Sequence, residues 1–259
     1  MLKRLRNGLI HRYKQITFRP YVIRRRICGD EIDFLIGDLF GEGWYGPHHD
    51  PWPELEWIKE HGIRPGNTVI DCGANHGFST VLFSKWAGEK GKVYAFEPLP
   101  HNVGILKKNL QLNGVENAVL HDVAVGDTNA CITLSDHPNA AITDQQSGHT
   151  ITTAIRRLDD EITVSPIDFI KIDVEGYELK VLEGASRLLK TRPRLAVELH
   201  VCMYEQPLDA LRQIFDLLEP MRYRMWIQPE VDGAIRPYDA TSDSPARLRS
   251  REVVHLFCA

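Results

Sequence analysis

The sequence lacks the features that mark several large classes of protein. None of its apolar runs approaches the roughly 20 residues that a helix needs to span a bilayer, and no internal repeat or low-complexity linker divides it. The start of the chain has charged residues where a secretory signal carries an uninterrupted apolar segment. We therefore expect a cytoplasmic globular protein, and 259 residues are enough for a substantial core.

Cysteine is scarce, and its positions argue against two kinds of stabilising site. The chain has five cysteines, an odd number, and none of them forms a C-x-x-C pair. This scatter fits neither a disulfide framework nor a zinc site with cysteine ligands. We expect reduced thiols that are mostly buried. The five are Cys28, Cys72, Cys131, Cys202 and Cys258.

Acidic residues are absent from the first 29 positions. These positions carry nine Lys and Arg, although the whole chain has a net charge of −4. A basic arm of this kind suits weak peripheral contact with an anionic membrane, or binding to RNA, and it also favours solubility. The rest of the chain therefore carries a net negative charge, which argues against a broad RNA-binding surface.

Three local patterns follow the arm. Two β-like runs, 21–28 and 31–36, are separated by a Gly-Asp pair that indicates a hairpin. The segment GEGWYGPHHDPWP, residues 41–53, is rich in Gly, Pro, His and Trp, and we expect an ordered loop without regular structure. PELEWIKEHG, residues 53–62, predicts a short helix with Pro near its start and Gly at its end.

From residue 66 onward, strand-like and helix-like segments alternate. Such alternation predicts an α/β fold, with a mostly parallel sheet covered by helices on both faces. The last two strands are separated only by a turn-rich loop, so we expect them to form an antiparallel hairpin at the edge of the sheet. The predicted strands are 67–72, 92–97, 118–125, 130–134, 152–158, 167–173, 194–199, 223–228 and 253–258, and the predicted helices are 77–87, 100–112, 177–190 and 207–218.

The stretch VIDCGANHGFST, residues 69–80, predicts a strand, a glycine turn and a helix at the point where an α/β sheet binds ligands. Glycines allow the backbone to approach a ligand closely. A dinucleotide fold would have G-x-G-x-x-G, but here the pattern is D-x-G-x-x-x-G, and Asp71 would repel a pyrophosphate. The cationic cofactor S-adenosylmethionine suits that charge better. Glu97, at the end of the next strand, can accept hydrogen bonds from both hydroxyls of a ribose.

Four segments together resemble one family. VIDCGANHGFST, VYAFEPLPHNVGILKKNLQLNG, HDVAVGD and IDFIKIDVEGYELKVLEGA are similar, in this order and spacing, to FkbM-type S-adenosylmethionine-dependent methyltransferases. The resemblance covers roughly residues 66–200 and implies a class I (Rossmann-like) fold with a seven-stranded sheet. We accordingly divide the chain into residues 1–52, with the arm, hairpin and a lid loop, and a methyltransferase domain at 53–259.

The resemblance also implies which residues contact the cofactor. The methionine end would lie on the turn after the first strand, the ribose on the second strand end, and the adenine between the second and third strand ends. The residues implied are Asp71, Gly73, Ala74, Asn75 and Gly77 for the turn, Glu97 for the ribose, and Pro98, Leu99, Asp122 and the Val123 backbone for the adenine.

Candidate catalytic residues lie at the ends of the fourth and fifth strands. Methyl transfer to a hydroxyl is helped by a base, and His200, with an unperturbed pKa near 6.5, could be that base at neutral pH. Glu198 lies on the same side of its strand as His200, and Asp173 could orient the acceptor or the cofactor ammonium. Asp173, Glu175 and Glu198 are also oxygen donors suited to Mg²⁺. Magnesium is not a general feature of the family, so we predict no metal.

The predicted lid supplies candidate contacts to the acceptor. Trp44 and Tyr45 could stack on a sugar face, while His48, His49 and Glu175 could bind its hydroxyls. The leading hypothesis is O-methylation of a sugar, glycolipid or secondary metabolite. Two alternatives stay open, an RNA methyltransferase and a non-catalytic cofactor-binding module. We expect a small-molecule or glycan acceptor as the partner rather than RNA, because no N-P-P-Y or D-P-P-Y signature is present.

Overall fold

A computed structural model describes residues 17–48, 52–135, 150–230 and 233–259. Most of the predicted basic arm lies outside these residues, and so does the predicted acceptor contact His49. In the part of the chain that is described, no helix has both the length and the apolar character that crossing a membrane requires.

The chain begins with the predicted hairpin and a helix that was not predicted. Strands β1 (Tyr21–Ile27) and β2 (Asp30–Ile36) pair antiparallel, which confirms the hairpin. Helix α1 (Leu39–Tyr45) then covers part of the segment for which we expected no regular structure, so that expectation was wrong. Asp38 caps this helix, because its carboxylate accepts a hydrogen bond from the backbone of Gly41 at 2.7 Å.

One eight-stranded sheet forms the centre of the molecule, in the spatial order β12-β11-β13-β10-β9-β3-β4-β5. Helices and strands alternate along the chain as predicted. The strands are β3 (Thr68–Cys72), β4 (Lys92–Phe96), β5 (Ala118–His121), β9 (Phe169–Ile172), β10 (Arg194–Leu199), β11 (Met225–Gln228), β12 (Arg236–Pro237) and β13 (Val254–Cys258). The helices are α2 (Pro53–Trp57, extended by a π-helical turn Ile58–Gly62), α3 (Phe78–Ala87), α4 (Pro100–Leu112), α5 (Leu158–Glu161), α6 (Glu178–Gly184), α7 (Ser186–Leu189), α8 (Pro207–Leu218) and α9 (Pro245–Leu248).

The sheet confirms the α/β class I methyltransferase-like fold, but it has eight strands rather than the expected seven, because the short β12 adds a strand at one edge. The position of the last strand also differs from the expectation. Strands β11 and β13 pair antiparallel, as expected for the last two strands. However, β13 does not lie at the edge, because it also pairs antiparallel with β10 and is therefore inserted into the sheet. The connecting segment contains the short β12 and α9, which sequence patterns did not indicate.

A second, three-stranded sheet has the order β6-β8-β7 and comprises β6 (Ala124–Gly126), β7 (Ala130–Ser135) and β8 (Thr150–Arg157). The predicted single strand 118–125 is therefore two strands in different sheets, since the chain turns at Asp122. The predicted helix 177–190 is likewise two helices, α6 and α7.

The two faces of the main sheet are covered by different parts of the chain. Ile70 and Ile170 pack in one hydrophobic cluster with residues of α6, α7 and α8. Their neighbours Val69 and Phe169 point to the opposite face, where α3 and the hairpin strand β2 complete a second cluster. The hairpin therefore shares a core with the sheet, and both faces support the carboxyl ends of β3, β4, β9 and β10.

Candidate active site

The glycine turn, residues 73–77, follows β3 and crosses the end of β4. The amides of Gly73 and Ala74 both donate to the carbonyl oxygen of Phe96, at 3.0 and 2.9 Å. Gly73 has a φ of 78°, and a Cβ there would overlap the backbone carbonyl oxygen of Asp173. Glycine is thus required because the ends of β3, β4 and β9 meet here.

Asp71 lies at the end of β3 and is fully buried. Its Oδ2 atom accepts hydrogen bonds from the hydroxyls of Ser79 and Thr80, at 2.9 and 2.6 Å. Its Oδ1 atom has no hydrogen-bond partner among the described residues. A buried carboxylate oxygen of this kind can accept a hydrogen bond from a positively charged ligand group.

Glu97 follows β4 and holds the glycine turn from the other side. Its two oxygens accept hydrogen bonds from the backbone of Asn75, at 2.8 Å, and of Leu99, at 2.9 Å. Burial raises the pKa of Glu97 to about 7, although these backbone donors oppose the shift. Oε1 also accepts a hydrogen bond from the Asn102 side chain, at 3.2 Å. Because a carboxylate oxygen has two lone pairs, Oε2 retains capacity for a ribose hydroxyl.

Most of the residues that were predicted to contact the adenine are more exposed than Asp71 and Glu97. Asp122 is exposed, and its carboxylate lies 3.3 Å from Lys107, while Val123 is half-buried and packs against the core. Pro98 is half-buried beside Glu97. The role of these residues in adenine binding stays a prediction. His121, which we did not single out, stacks on Phe96 with ring centroids 4.5 Å apart, at the end of β5.

His200 lies at the centre of an acidic cluster at the ends of β9 and β10. Its Nε2 atom lies 3.5 Å from Glu175, 3.7 Å from Glu198 and 3.9 Å from Asp173. The side chain is buried, with 7% of its surface exposed. The predicted catalytic residues Asp173, Glu198 and His200 therefore lie close together, whereas the sequence indicated only that Glu198 and His200 share one side of their strand. Lys171 forms an ion pair with Asp173, at 2.9 Å.

The surroundings of His200 contradict the expectation of a neutral base. Burial lowers the pKa of His200, but the hydrogen bond to Glu178 and the nearby carboxylates outweigh it and raise the pKa to about 10. At neutral pH the ring is therefore an imidazolium, which cannot accept a proton. By contrast, burial raises the pKa of Glu175 to about 7, although His200 opposes the shift. Burial and the Glu198 carboxylate also raise the pKa of Asp173.

Three further residues support this cluster and were not anticipated. Glu178, at the start of α6, is fully buried and accepts hydrogen bonds from His200 Nδ1 at 2.9 Å and from the Tyr204 hydroxyl at 2.6 Å. His255 on β13 lies 3.3 Å from Glu198. Glu178 lies at the start of the predicted helix 177–190, only three residues after Glu175, and this closeness in sequence is a signal that the sequence offered. The position of His255 depends on the insertion of β13, which the sequence did not reveal.

The lid residues are divided between the site and the surface. Tyr45 stacks on Phe78 with ring centroids 5.1 Å apart. Burial raises the pKa of Tyr45, and the Asp173 carboxylate adds to the shift. Trp44 is 42% exposed and packs against Phe40, and His48 is exposed. Contact of these residues with an acceptor stays a prediction.

The residues at the carboxyl ends of β3, β4 and β9 fit a cofactor that carries positive charge and hydroxyl donors. Asp71 offers an unpaired buried oxygen, and the pKa values of Glu97 and Asp173 are raised by burial. Such an excess of buried negative charge is relieved by a cationic ligand. Asp173, Glu175 and His200 also offer three ligand atoms within 4.8 Å of one another, and the absence of a metal stays a prediction.

Comparison with known proteins identifies one matching family model and several similar proteins. The family model described as the methyltransferase FkbM domain matches residues 71–225. A protein named methyltransferase 1 from Beauveria bassiana (strain ARSEF 2860) is 27% identical, over 60% of this chain and 67% of its own length. The 31-O-demethyl-FK506 methyltransferase FkbM of Streptomyces tacrolimicus is 29% identical, over 60% of this chain and 68% of its own length.

Among solved structures, that of a methyltransferase FkbM from Methylobacillus flagellatus KT is similar in fold. Its TM-score is 0.54 and its sequence is 20% identical, over 82% of this chain. The chain spans about half of that protein, since the match covers 48% of its length. The likeness supports the same arrangement of sheet and helices.

Proposed function

The chain belongs to the FkbM family of S-adenosylmethionine-dependent methyltransferases, and from this premise we propose that it methylates a hydroxyl of a sugar, glycolipid or secondary metabolite. The convergence of three carboxylates on His200 is the observation that carries this proposal. A hydroxyl loses its proton as it reacts, and such a cluster supplies both a hydrogen-bond acceptor and a place for the proton. The Streptomyces tacrolimicus relative is named for an O-demethyl acceptor, 31-O-demethyl-FK506. This name supports a hydroxyl acceptor for the present chain.

The cofactor end of the site is assigned to the strands β3 and β4. When bound, S-adenosylmethionine would supply a methyl group on a cationic sulfur, and an oxygen nucleophile would take this methyl group while the sulfur leaves as a neutral thioether. Asp71 and the glycine turn would hold the methionine end, because they present a buried oxygen and a close backbone. Glu97 would accept hydrogen bonds from the ribose hydroxyls. Pro98 and Leu99 would flank the adenine, and Asp122 would accept a hydrogen bond from its amino group.

We assign acceptance of the hydroxyl proton to Glu175 rather than to His200. A general base works best when its pKa lies near the operating pH. The pKa of Glu175 is about 7, whereas that of His200 is about 10. Glu175 Oε2 therefore takes the proton, and the His200 imidazolium, 3.5 Å away, stabilises the carboxylate before transfer. Glu178 is a positioning residue, because it fixes the His200 ring through Nδ1.

The proposed acceptor also gives the basic arm a role. A glycolipid acceptor lies at a membrane surface, and a run of Lys and Arg would favour weak contact with anionic lipids. RNA is the competing partner of a basic segment. The identity of the acceptor fraction distinguishes the two.

The test is transfer of labelled methyl from S-adenosylmethionine into fractionated extract, separated into saccharide, lipid, small molecules, RNA and protein. We expect label in one of the first three fractions, in a form stable to mild alkali, because methyl ethers survive conditions that hydrolyse methyl esters. Glu175→Gln should lower transfer by about a hundredfold, within the range typical of a general base.

A matched control is Glu183→Gln, since Glu183 pairs with Lys180 on α6 and lies outside the cluster. It should transfer methyl like the wild type, and both variants should retain binding of S-adenosylhomocysteine in calorimetry. Label in RNA would contradict the proposed acceptor. Cofactor binding without label in any fraction would instead indicate a non-catalytic module.

A further inference from the structure

A second cluster of metal-ligating side chains lies outside the active site, between the N-terminal hairpin and the glycine turn. It consists of Asp38, which caps α1, His76 in the glycine turn, and His101 in the first turn of α4. One ligand atom from each residue lies within 4.8 Å of the other two. We refer to these three residues as the Asp-His-His cluster. The mechanism proposed above does not use them.

His76 is the member of the cluster whose polar atoms are buried without hydrogen bonds, although its ring packs against Phe40 and Tyr45. It is fully buried, and neither of its ring nitrogens has a hydrogen-bond partner among the described residues. Leaving a buried polar group unpaired costs about 1–3 kcal/mol. An imidazole nitrogen without a hydrogen bond can offer its lone pair to a metal ion.

Asp38 and His101 complete the set from the surface side. Asp38 Oδ1 is held by the backbone of Gly41, while Oδ2 lies 2.7 Å from His101 Nε2 and 3.5 Å from His76 Nε2. Metal-ligating carboxylates are commonly held by such a second hydrogen bond. The His101 side chain is 59% exposed, which provides a path of entry for an ion.

We propose that Asp38, His76 and His101 bind one divalent transition-metal ion, for which Zn²⁺ is the best match. Two imidazoles and one carboxylate, with a water in the fourth position, form a tetrahedral zinc ligand set. With bonds of about 2.0–2.1 Å, neighbouring ligand atoms lie about 3.3 Å apart. The distance from Asp38 to His76 already matches this value. His101 must move away from Asp38 by about 0.6 Å, which its exposed side chain allows.

The ion would join three separate elements. Gly41 of α1 packs directly on the His76 ring, and a Cβ at Gly41 would lie 2.8 Å from Nδ1. His101 belongs to α4, and His76 lies next to Asn75 in the glycine turn. Binding to the folded state alone stabilises a protein, so the ion should hold the N-terminal segment and α4 against that turn.

The test uses the full chain, freed of any histidine tag and stripped with a chelator, then titrated with Zn²⁺ and with Co²⁺. We expect one ion per chain, the visible absorption of tetrahedral Co²⁺, and a Tm that rises with Zn²⁺ concentration. Asp38→Asn and His101→Gln should each weaken binding by at least about tenfold. Asparagine retains the helix cap, and His101 is exposed, so unchanged circular dichroism in both variants separates lost ligation from lost folding.

Two histidine controls locate the ion. His61→Gln removes a partly exposed ring that stacks on Trp226, away from the cluster. His200→Gln removes the histidine of the other candidate ligand set, in the active site. Both should bind Zn²⁺ like the wild type. Loss of binding in His200→Gln, equal binding by wild type and His101→Gln, or no binding at micromolar Zn²⁺ would overturn the proposal.

Discussion

The environment of a single residue, His200, decides how the acidic cluster can act. A histidine at the end of a strand suggests a base, because its ordinary pKa is near neutrality. Here Glu178 binds one ring nitrogen, and three other carboxylates face the second. The sequence indicated the carboxylates at the strand ends, Asp173, Glu175 and Glu198. It could not indicate the charge state, because that depends on distances between elements that are far apart in the chain.

The pH dependence of activity should distinguish Glu175 from His200 as the proton acceptor. A base must be deprotonated to act, so kcat/KM should rise tenfold per pH unit below about 7 and level off above it. In Glu175→Gln this acidic limb should disappear along with most of the activity. The measurement is a pH profile of kcat/KM for both proteins. A wild-type rate that keeps rising to about pH 10 would assign the role to His200 instead.

At the scale of elements, the glycine turn should tolerate far less change than an open glycine position. Gly73 and Gly66 both have positive φ, 78° and 88°. Alanine at such a φ costs about 1–2 kcal/mol. At Gly73 the new Cβ also overlaps the Asp173 carbonyl oxygen, whereas at Gly66 it meets nothing within 4 Å. Gly73→Ala should therefore lose about 1–3 kcal/mol more than Gly66→Ala, as measured by denaturant unfolding.

Cofactor binding provides a second measurement on the same pair. In Gly73→Ala, relief of the overlap between the new Cβ and the Asp173 carbonyl oxygen must displace the glycine turn. This turn is proposed to hold the methionine end of the cofactor. Gly73→Ala should weaken S-adenosylhomocysteine binding at least tenfold, while Gly66→Ala should leave it unchanged. Equal effects of the two substitutions on stability and on binding would show that backbone strain, rather than close approach, determines the need for glycine.

Elements were predicted well where apolar periodicity is strong and poorly where it is interrupted. Strands β3 and β9 are short apolar runs, and both were identified with their acidic ends. Helix α1 was missed because it contains two glycines and only seven residues. It forms because Asp38 caps it and Tyr45 packs on Phe78, and such tertiary contacts override local propensity. The break at Asp122 was missed because apolar residues continue on both sides of it.

At the scale of the whole molecule, two asparagines attach the N-terminal hairpin to the sheet, Asn109 in α4 and Asn113 directly after its end. Asn109 Oδ1 accepts from the backbone of Leu35 at 2.7 Å, and its Nδ2 donates to the His76 carbonyl at 2.9 Å. Asn113 makes paired hydrogen bonds with the backbone of Asp33, at 3.1 and 2.7 Å. Among the described residues, β2 pairs with a strand on one side only. On its other side, the two asparagine side chains are hydrogen-bond partners of its backbone. No sequence periodicity indicates such a role, because it depends on where the hairpin docks.

Removal of the Asn109 side-chain bonds should loosen the hairpin without opening the main sheet. Asn109→Leu keeps the volume but leaves the Leu35 amide and the His76 carbonyl unpaired, at a cost of about 1–3 kcal/mol. Amide protons of β1 and β2 should then exchange about 5–150-fold faster, while those of β4 and β10 keep their protection.

Asn117→Ala is the matched control, because the Asn117 amide donates to the carbonyls of Ser84 and Gly88, at 3.0 and 2.9 Å, and so joins parts of the sheet domain only. Its effect on exchange should not be confined to the hairpin. If Asn109→Leu accelerates exchange equally in the hairpin and in β4 and β10, the hairpin and the sheet open together. In that case the asparagines stabilise the whole fold, and the N-terminal hairpin is not a unit that can open by itself.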